Sequence, residues 1–228
     1  MIEVAALVRS ASPPRETASA ELLIRELSAR WLASCTGLVV AEVIKPLGEP
    51  DDVVALVQLW TDEQPSAAGW AERMLPGAAA GGFEVSAWLV REHVLKQPVE
   101  RQEPAAYPGT VKLAGTAYRR DDFSAEAFFE YWRTVHAPVS ASVPGVGGYV
   151  VSEVLEAVAG SWAPDALIEQ WYPDEAAFDQ SGDTPQAAAA WEDVPRYAKT
   201  TGVFWLLREH VLAPPPATGP GLLEAGHA

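Results

Sequence analysis

Two residues that could carry out acid/base chemistry stand thirteen positions apart in the second half of the chain. His136 ends the run Phe129-Glu-Tyr-Trp-Arg-Thr-Val-His136, and Tyr149 follows the turn-forming run Val143-Pro-Gly-Val-Gly-Gly. Histidine is the side chain whose ordinary pKa lets it take up or release a proton near neutral pH. A tyrosine hydroxyl can hold a carbonyl or enolate oxygen. The pair therefore indicates proton transfer, with His136 as acid or base and Tyr149 as the partner of a substrate oxygen.

A helix and the following strand must position these two side chains. The pattern predicts a helix over 125–135, with Ser124 as its N-cap, and a strand over 147–158. His136 would then stand at the end of the helix, where capping the last carbonyls is its alternative role. Tyr149 would open the strand, where an aromatic residue is equally typical of a core position.

Four further residues are candidates for contact with a substrate. The chain has nine tryptophans, and some of them are expected to line a pocket wide enough for a flat ligand. The predicted substrate-binding residues are Tyr131, Trp132, Trp171 and His210. Core packing is the alternative for both tryptophans. A structural hydrogen bond is the alternative for His210, since His93 occupies the equivalent position of the first half.

Composition excludes several classes of partner. The formal charge is −15, from 31 acidic and 16 basic residues, which argues against nucleic acid or an anionic membrane surface. Cys35 is the only cysteine, so no intrachain disulfide forms, and the sequence has no zinc-ligand spacing. Neither a signal peptide nor a membrane-spanning apolar run is recognised, which predicts a cytoplasmic protein. No cofactor is expected, although haem is left open.

Three segments of the first half recur in the same order in the second half. The first two recur 111 residues later and the third 117 residues later, as a duplication with one insertion would produce. The segment pairs are Val40–Ile44 with Val151–Leu155, Ala55–Trp60 with Ala166–Trp171, and Trp88–Leu95 with Trp205–Leu212. Each half reads as βαββαβ, the ferredoxin-like order.

The predicted fold class is α+β, with two tandem ferredoxin-like repeats that form a pseudo-dimeric α/β barrel within one chain. Residues 1–96 make the first repeat, 97–110 a linker rich in proline and charge, 111–212 the second repeat, and 213–228 a flexible tail. The second repeat is expected to carry the site.

Residues 111–212 resemble the EthD family of the dimeric α/β-barrel superfamily. The resemblance lies in Tyr131-Trp-Arg-x-x-His136-Ala-Pro, in Pro144-Gly-x-x-x-Tyr149 and in Glu209-His-Val-Leu. The first half looks like a degenerate copy, because the histidine and the Pro-Gly turn fall in a gap where only Cys35-Thr-Gly-Leu remains. The resemblance implies one competent site and one scaffolding half.

The resemblance also implies chemistry on hydrophobic, oxygenated, often aromatic molecules. With His136 and Tyr149 it favours a cofactor-independent lyase or isomerase that dehydrates, cyclises or isomerises a polyketide-like or aromatic-degradation intermediate. Three alternatives stay open: a cofactor-free monooxygenase on a phenol or anthrone, a haem protein with an axial histidine, and a non-enzymatic carrier of small molecules. A homodimer of the fused pair is a further option.

Overall fold

The computed structural model describes residues 2–10, 35–49, 52–62, 83–98 and 108–216. For the first half the sequence predicts one helix over 21–33 and a second helical region ending at Met74, and both lie outside these ranges. So do most of the predicted linker and most of the predicted tail.

The described residues form eight strands and four α-helices. The strands of the first half are β1 (Ile2–Ser10), β2 (Gly37–Pro46), β3 (Val53–Thr61) and β4 (Phe83–Lys96). The second half contains β5 (Val111–Ala117), β6 (Gly148–Ala159), β7 (Ala166–Tyr172) and β8 (Phe204–Ala213). Its helices are α1 (Ala125–Tyr131), α2 (Ala137–Ala141), α3 (Glu175–Ser181) and α4 (Pro185–Asp193), with a π-helical turn (Trp132–His136) and a 3₁₀ turn (Val194–Arg196). The second half therefore has the predicted order βαββαβ.

The hydrogen-bonded strand order is β1-β3-β2-β8-β5-β7-β6-β4, and the order is closed, so the strands make a barrel. Within each half the strands follow one scheme, in which the third strand pairs antiparallel with the first and the second. The predicted α+β class and barrel are confirmed.

The described residues group into two compact units. The first contains β1, β2, β3 and the larger part of β4, with the distal ends of β6 and β8. Its core takes alternate small and branched apolar residues from one face of these strands. Representative members are Val4, Val40, Val57 and Val85.

The second unit contains β5, β7 and all four helices, with the end of β4 and the starting parts of β6 and β8. Its helices supply an aromatic core, since Phe128, Trp132 and Tyr197 are all nearly inaccessible to solvent. Ser124 caps α1 as predicted, because its side chain accepts a hydrogen bond from the Ala127 amide.

The first helical segment of this unit extends beyond its predicted end. The sequence predicts that the helix stops at Val135, but it continues through the π-helical turn and α2 to Ala141. The prediction was wrong because Pro138 lies in the first turn of α2, where its missing N–H removes little. The Ala137 amide instead bonds to the Trp132 carbonyl five residues back, which defines the π turn.

Candidate active site

His136 lies at the end of the π-helical turn and is almost completely buried, with 5 % of its surface exposed. Its Nδ1 lies 3.1 Å from Oδ2 of Asp193, the last residue of α4. This contact is made where α2 packs against α4. Among the described residues no hydrogen bond involves the other ring nitrogen, Nε2. The histidine therefore lies within a helix that continues beyond it, so the alternative role of capping a helix C-terminus does not arise.

The Asp193 carboxylate also has partners on its other oxygen. The Tyr131 hydroxyl donates to Oδ1 at 2.8 Å. The Arg196 guanidinium lies 3.8 Å from the same oxygen, but the Arg196 side chain is 70 % exposed, so the attraction is weakened by solvent. One oxygen of Asp193 thus contacts His136, and the other contacts Tyr131 and Arg196.

Burial and Asp193 act in opposite directions on the protonation of His136. Burial lowers the pKa of the imidazole and is the larger effect, while the hydrogen bond and the charge of Asp193 raise it. The net pKa lies below the ordinary value, so the ring is neutral at neutral pH. A neutral imidazole whose Nδ1–H is donated to a carboxylate has its Nε2 lone pair available as a base.

Aromatic rings enclose His136. The Tyr197 ring lies 5.0 Å from the imidazole, centroid to centroid, and the Trp132 ring meets it edge-on at 5.9 Å. Tyr131 stacks on Tyr197 at 5.2 Å. Burial is the main cause that raises the pKa of Tyr197, and the neighbouring oxygens of Tyr149, Asp193 and Tyr131 raise it further. The groups around His136 are mainly aromatic rings, and burial keeps the Tyr197 and Tyr131 hydroxyls protonated.

Tyr149 belongs to a polar network that lies between the helices and the sheet. Trp132 Nε1–H donates to the Tyr149 hydroxyl oxygen at 2.7 Å. Ser140 Oγ accepts from Gln170 Nε2 at 2.8 Å, and Gln170 Oε1 accepts from the Tyr172 hydroxyl at 3.1 Å. Burial raises the pKa of Tyr149 and outweighs the lowering effect of Trp132 and Ser140, so the group remains a phenol.

Four predicted site residues therefore come together: His136, Tyr149, Tyr131 and Trp132. The π turn begins at Trp132 and ends at His136, and the rings of these two residues meet edge-on. Tyr149 enters at the second residue of β6, directly opposite Gln170 of β7. Their roles toward a substrate remain predictions.

Trp171 and His210 do not join this cluster. Trp171 is paired with Lys112 of β5, and the Lys112 ammonium lies 5.3 Å from the centroid of the Trp171 ring. Because strand side chains alternate, Trp171 faces the side of β7 opposite to Gln170. His210 belongs to the first unit, where its Nε2 lies 3.2 Å from Glu42 Oε2. The equivalent His93 makes a similar 3.1 Å contact with Glu153.

Sequence reasoning missed Asp193, Tyr197, Ser140 and Gln170. Asp193 stands 57 residues from His136 and reads as an ordinary acidic helix end. Ser140 follows the predicted helix terminus, so the sequence gives it no defined position. Gln170 carried a usable signal, because Glu169 and Gln170 interrupt the apolar run of β7, which indicates buried hydrogen-bonding positions.

Within the described ranges no group of three or more His, Cys, Asp or Glu residues is arranged to hold a metal ion. In the same ranges, no helix has the length and apolar character that a membrane span requires.

Comparison with known proteins supports the fold and the family of the second half. Residues 120–201 match the model of the EthD domain, and the comparison with curated proteins gives no match. An anthrone oxidase-like protein of known structure superimposes with a TM-score of 0.62 at 11 % identity, covering 96 % of each chain. A candidate monooxygenase from Lactobacillus acidophilus gives a TM-score of 0.54 at 11 % identity, covering 92 % of this chain and 94 % of that chain. A candidate monooxygenase from Fusobacterium nucleatum gives 0.55 at 8 % identity, covering 96 % and 98 %. At these identities the likeness shows the fold alone.

Proposed function

We propose that this protein is an enzyme that moves a proton on a hydrophobic, oxygenated small molecule without a cofactor, as the match of residues 120–201 to the EthD domain supports. The observation that carries the proposal is the buried His136 whose Nδ1 is held 3.1 Å from Asp193. The imidazole then has one nitrogen, Nδ1, that is hydrogen-bonded to a carboxylate and a second, Nε2, that can act as a base.

His136 acts as the general base in this mechanism. Asp193 accepts the Nδ1–H and fixes the tautomer, which leaves the Nε2 lone pair to take a proton from the substrate. When Nε2 becomes protonated, the imidazolium forms next to the Asp193 carboxylate, which stabilises the positive charge. The lowered pKa of the free imidazole keeps it in the basic form at neutral pH.

Tyr149 holds the substrate oxygen on which negative charge develops. The phenol has a raised pKa, so it stays protonated and can stabilise an enolate by a hydrogen bond. Dehydration, cyclisation and isomerisation can all begin with this loss of a proton from carbon. The reaction class that follows is a lyase or an isomerase acting on a polyketide-like or aromatic-degradation intermediate.

A cofactor-free monooxygenase is the second candidate, favoured by the fold shared with the anthrone oxidase-like protein over 96 % of both chains. The same base would remove the proton, and the carbanion would react with molecular oxygen. A methylene would become a carbonyl, with one oxygen atom in the product and the other in water. Oxygen consumption separates this candidate from the lyase or isomerase.

Deuterium exchange tests proton transfer without knowledge of the final product. The protein is incubated in D₂O with anthrones, lactones, phenolic acids and aryl ketones, and the loss of carbon-bound protons is followed by NMR. His136→Ala is expected to lower the exchange rate by about 100-fold or more, the usual range for a general base. Arg133→Ala is the matched control, because Arg133 pairs with Glu130 at the surface of the same helical segment.

The remaining alternatives give different results in the same experiment. A carrier would bind panel members in a way that depends on His136, yet would catalyse no exchange, and this would overturn the enzymatic proposal. A visible spectrum recorded on the purified protein tests the haem alternative, since an axial histidine would produce a Soret band.

We further propose that the chain is a fused pair of repeats, bounded as the sequence predicts at 1–96 and 111–212. The strand registers support a common origin, because Gly37 pairs with Trp60 in the first half and Gly148 pairs with Trp171 in the second. Gly148 and Trp171 each stand 111 positions after their counterparts in the first half. Light scattering of the purified chain tests whether the fused pair associates again into a homodimer.

A further inference from the structure

Tyr131 and His136 stand five positions apart, and both bond to one carboxylate on a different helix. The Tyr131 hydroxyl donates to Oδ1 of Asp193 at 2.8 Å, and Nδ1 of His136 lies 3.1 Å from Oδ2. An ionised carboxylate only accepts, so the hydrogens of these two contacts belong to the phenol and to the imidazole. Each oxygen of Asp193 therefore has its own donor, and both donors come from one helical segment.

The π-helical turn explains how two residues five positions apart reach the same group. In a regular α-helix each residue is rotated by about 100° from the one before it, so residues five apart point about 140° away from each other. The turn over Trp132–His136 is wider, because the Ala137 amide bonds to the Trp132 carbonyl five residues back. Residues five apart are then close to one full turn apart. Tyr131 and His136 can therefore both face α4, where Asp193 is the last residue.

Aromatic packing fixes the position of the Tyr131 hydroxyl. The Tyr131 ring stacks on Tyr197 at 5.2 Å with the planes 22° apart, and it meets the Phe123 ring edge-on at 6.2 Å. Asp193 is only 7 % exposed, so water does not readily replace a hydrogen bond that its carboxylate loses. The exposed Arg196 guanidinium, at 3.8 Å from the same oxygen, is too far away for a hydrogen bond.

We propose that Tyr131 is a positioning residue for His136, which holds the Asp193 carboxylate against Nδ1 and is brought to that carboxylate by the π-helical turn. The inference rests on the proposed function for its catalytic meaning, because a fixed Nδ1–H leaves Nε2 as the base. A carboxylate with one hydrogen bond can rotate about its Cβ–Cγ bond, whereas bonds to both oxygens fix its plane. The sequence predicts a substrate contact for Tyr131, and the role through Asp193 requires none.

The tautomer of His136 tests this role in the protein without any ligand. With ¹⁵N-labelled histidine, the nitrogen chemical shifts distinguish Nδ1–H from Nε2–H at a pH where the ring is neutral, and His136→Gln assigns the signals by removing them. The parent is expected to hold the Nδ1–H form. Tyr131→Phe removes a single oxygen atom and keeps the stacked ring, so an Nε2–H fraction of about one tenth or more is expected to appear. Tyr131→Leu removes the same hydroxyl without the ring and is expected to change the tautomer in the same direction.

Tyr172→Phe is the matched control, because the buried Tyr172 hydroxyl donates to Gln170 Oε1 and not to the Asp193 carboxylate. It is expected to leave the tautomer unchanged, and circular dichroism checks that each variant is folded. The same tautomer in the parent, Tyr131→Phe and Tyr131→Leu would overturn the proposal. An Nε2–H form in the parent, or an equal change in Tyr172→Phe, would overturn it as well.

A double variant separates an effect through Asp193 from a direct effect of Tyr131. In an Asp193→Ala background the carboxylate is absent, so Tyr131→Phe is expected to change neither the tautomer nor the exchange rate any further. Equal effects of Tyr131→Phe in both backgrounds would show that Tyr131 acts on the helix or on a ligand directly, and would overturn the proposal.

Deuterium exchange connects Tyr131 to the proposed function and keeps the two apart. In Tyr131→Phe the rate is expected to fall about tenfold, the low end of the cost of losing a group that orients a functional histidine. A tautomer that depends on Tyr131 in a protein that catalyses no exchange would reject the proton transfer and leave the positioning role. Exchange that depends on His136 but keeps its rate and its tautomer in Tyr131→Phe would reject the positioning role alone.

Discussion

At the scale of single residues, the protonation of His136 depends on a balance between burial and one carboxylate. Burial lowers the pKa of the imidazole, and the hydrogen bond and charge of Asp193 oppose this effect. The same carboxylate accepts a hydrogen bond from Tyr131, which shares its negative charge. The base strength of His136 is therefore adjustable through a residue that need not touch the substrate.

Asp193→Asn is expected to lower the pKa of His136 further. The substitution keeps the shape of the side chain but removes the charge that opposes burial, so the lowering effect of burial is less opposed. NMR titration of the imidazole measures the shift, and the exchange rate is expected to fall at least about tenfold because the tautomer is no longer fixed. Arg196→Ala is the control, since the exposed guanidinium at 3.8 Å contributes little. An unchanged His136 titration in Asp193→Asn would contradict the assigned dyad.

The buried histidine also predicts how stability depends on pH. The pKa of His136 is lower in the folded than in the unfolded chain, so below the ordinary value of 6.5 the unfolded state binds more protons. The free energy of unfolding should therefore fall as the pH decreases from about 6.5 toward the folded pKa, by at most about 1.4 kcal/mol per pH unit from this group. Urea unfolding at several pH values should show this slope in the parent and a smaller slope in His136→Gln. Equal slopes would show that His136 is accessible in the native state.

At the scale of elements, the site depends on a π-helical turn that the periodicity of the sequence does not predict. The aromatic pattern from Phe128 onward predicts the helix and its Ser124 cap correctly. Pro138 argues for an end to the helix, and the observed continuation through Ala141 depends on the wider turn over Trp132–His136. This continuation places Ser140 on the sheet side of α2, where its Oγ accepts a hydrogen bond from Gln170 of β7.

A close approach of the backbone at the start of β6 positions Tyr149. A Cβ added to Gly148 would lie 2.6 Å from the Cα and Cβ of Pro98, so the chain segment after β4 could not keep its place. Gly148→Ala is expected to lower the free energy of unfolding by about 1–3 kcal/mol, the usual cost of overpacking. Chemical denaturation measures the change. Gly48→Ala is the matched control, since nothing lies within 4 Å of its added Cβ.

The two glycine variants also connect the element to the site. Displacement of Gly148 would move Tyr149, so Gly148→Ala should also lower the rate of deuterium exchange while Gly48→Ala keeps it. A Gly148→Ala protein as stable as Gly48→Ala would show that the Pro98 contact does not hold β6 in place.

At the scale of the whole molecule, the sequence predicts the fold better than it predicts the site. Strand-sized apolar segments, their recurrence and the resemblance to EthD domains suffice for the class, the βαββαβ order of the second half and the barrel. His136, Tyr149 and Trp132 meet as neighbours because helix and strand order place them there. Asp193 could not be chosen from the sequence, because its importance depends on the tertiary contact of α2 with α4. The sequence indicates that Gln170 is buried, but its hydrogen bond to Ser140 depends on tertiary packing.

The sheet of this acidic protein contains a buried ion pair, whose contribution to the free energy of unfolding can be measured. Lys112 and Glu169 are both essentially inaccessible, and their charged atoms lie 2.7 Å apart. Lys112→Met would remove a positive partner from a buried carboxylate, so the free energy of unfolding is expected to fall by about 3–5 kcal/mol. The double variant Lys112→Met/Glu169→Leu is expected to recover much of this loss, because desolvation of the pair offsets most of its attraction. Urea denaturation of the single and double variants measures both effects.

The surface offers a matched comparison for this pair. Arg133 and Glu130 form an ion pair with side chains 39 % and 59 % exposed, and Arg133→Ala is expected to cost less than about 1 kcal/mol. If Lys112→Met cost no more than Arg133→Ala, the other partners of Glu169 would be sufficient to stabilise its carboxylate. A large loss that the double variant repairs would show that the lysine is retained to neutralise Glu169 and not for net stability, in a chain where acidic residues outnumber basic ones by 31 to 16.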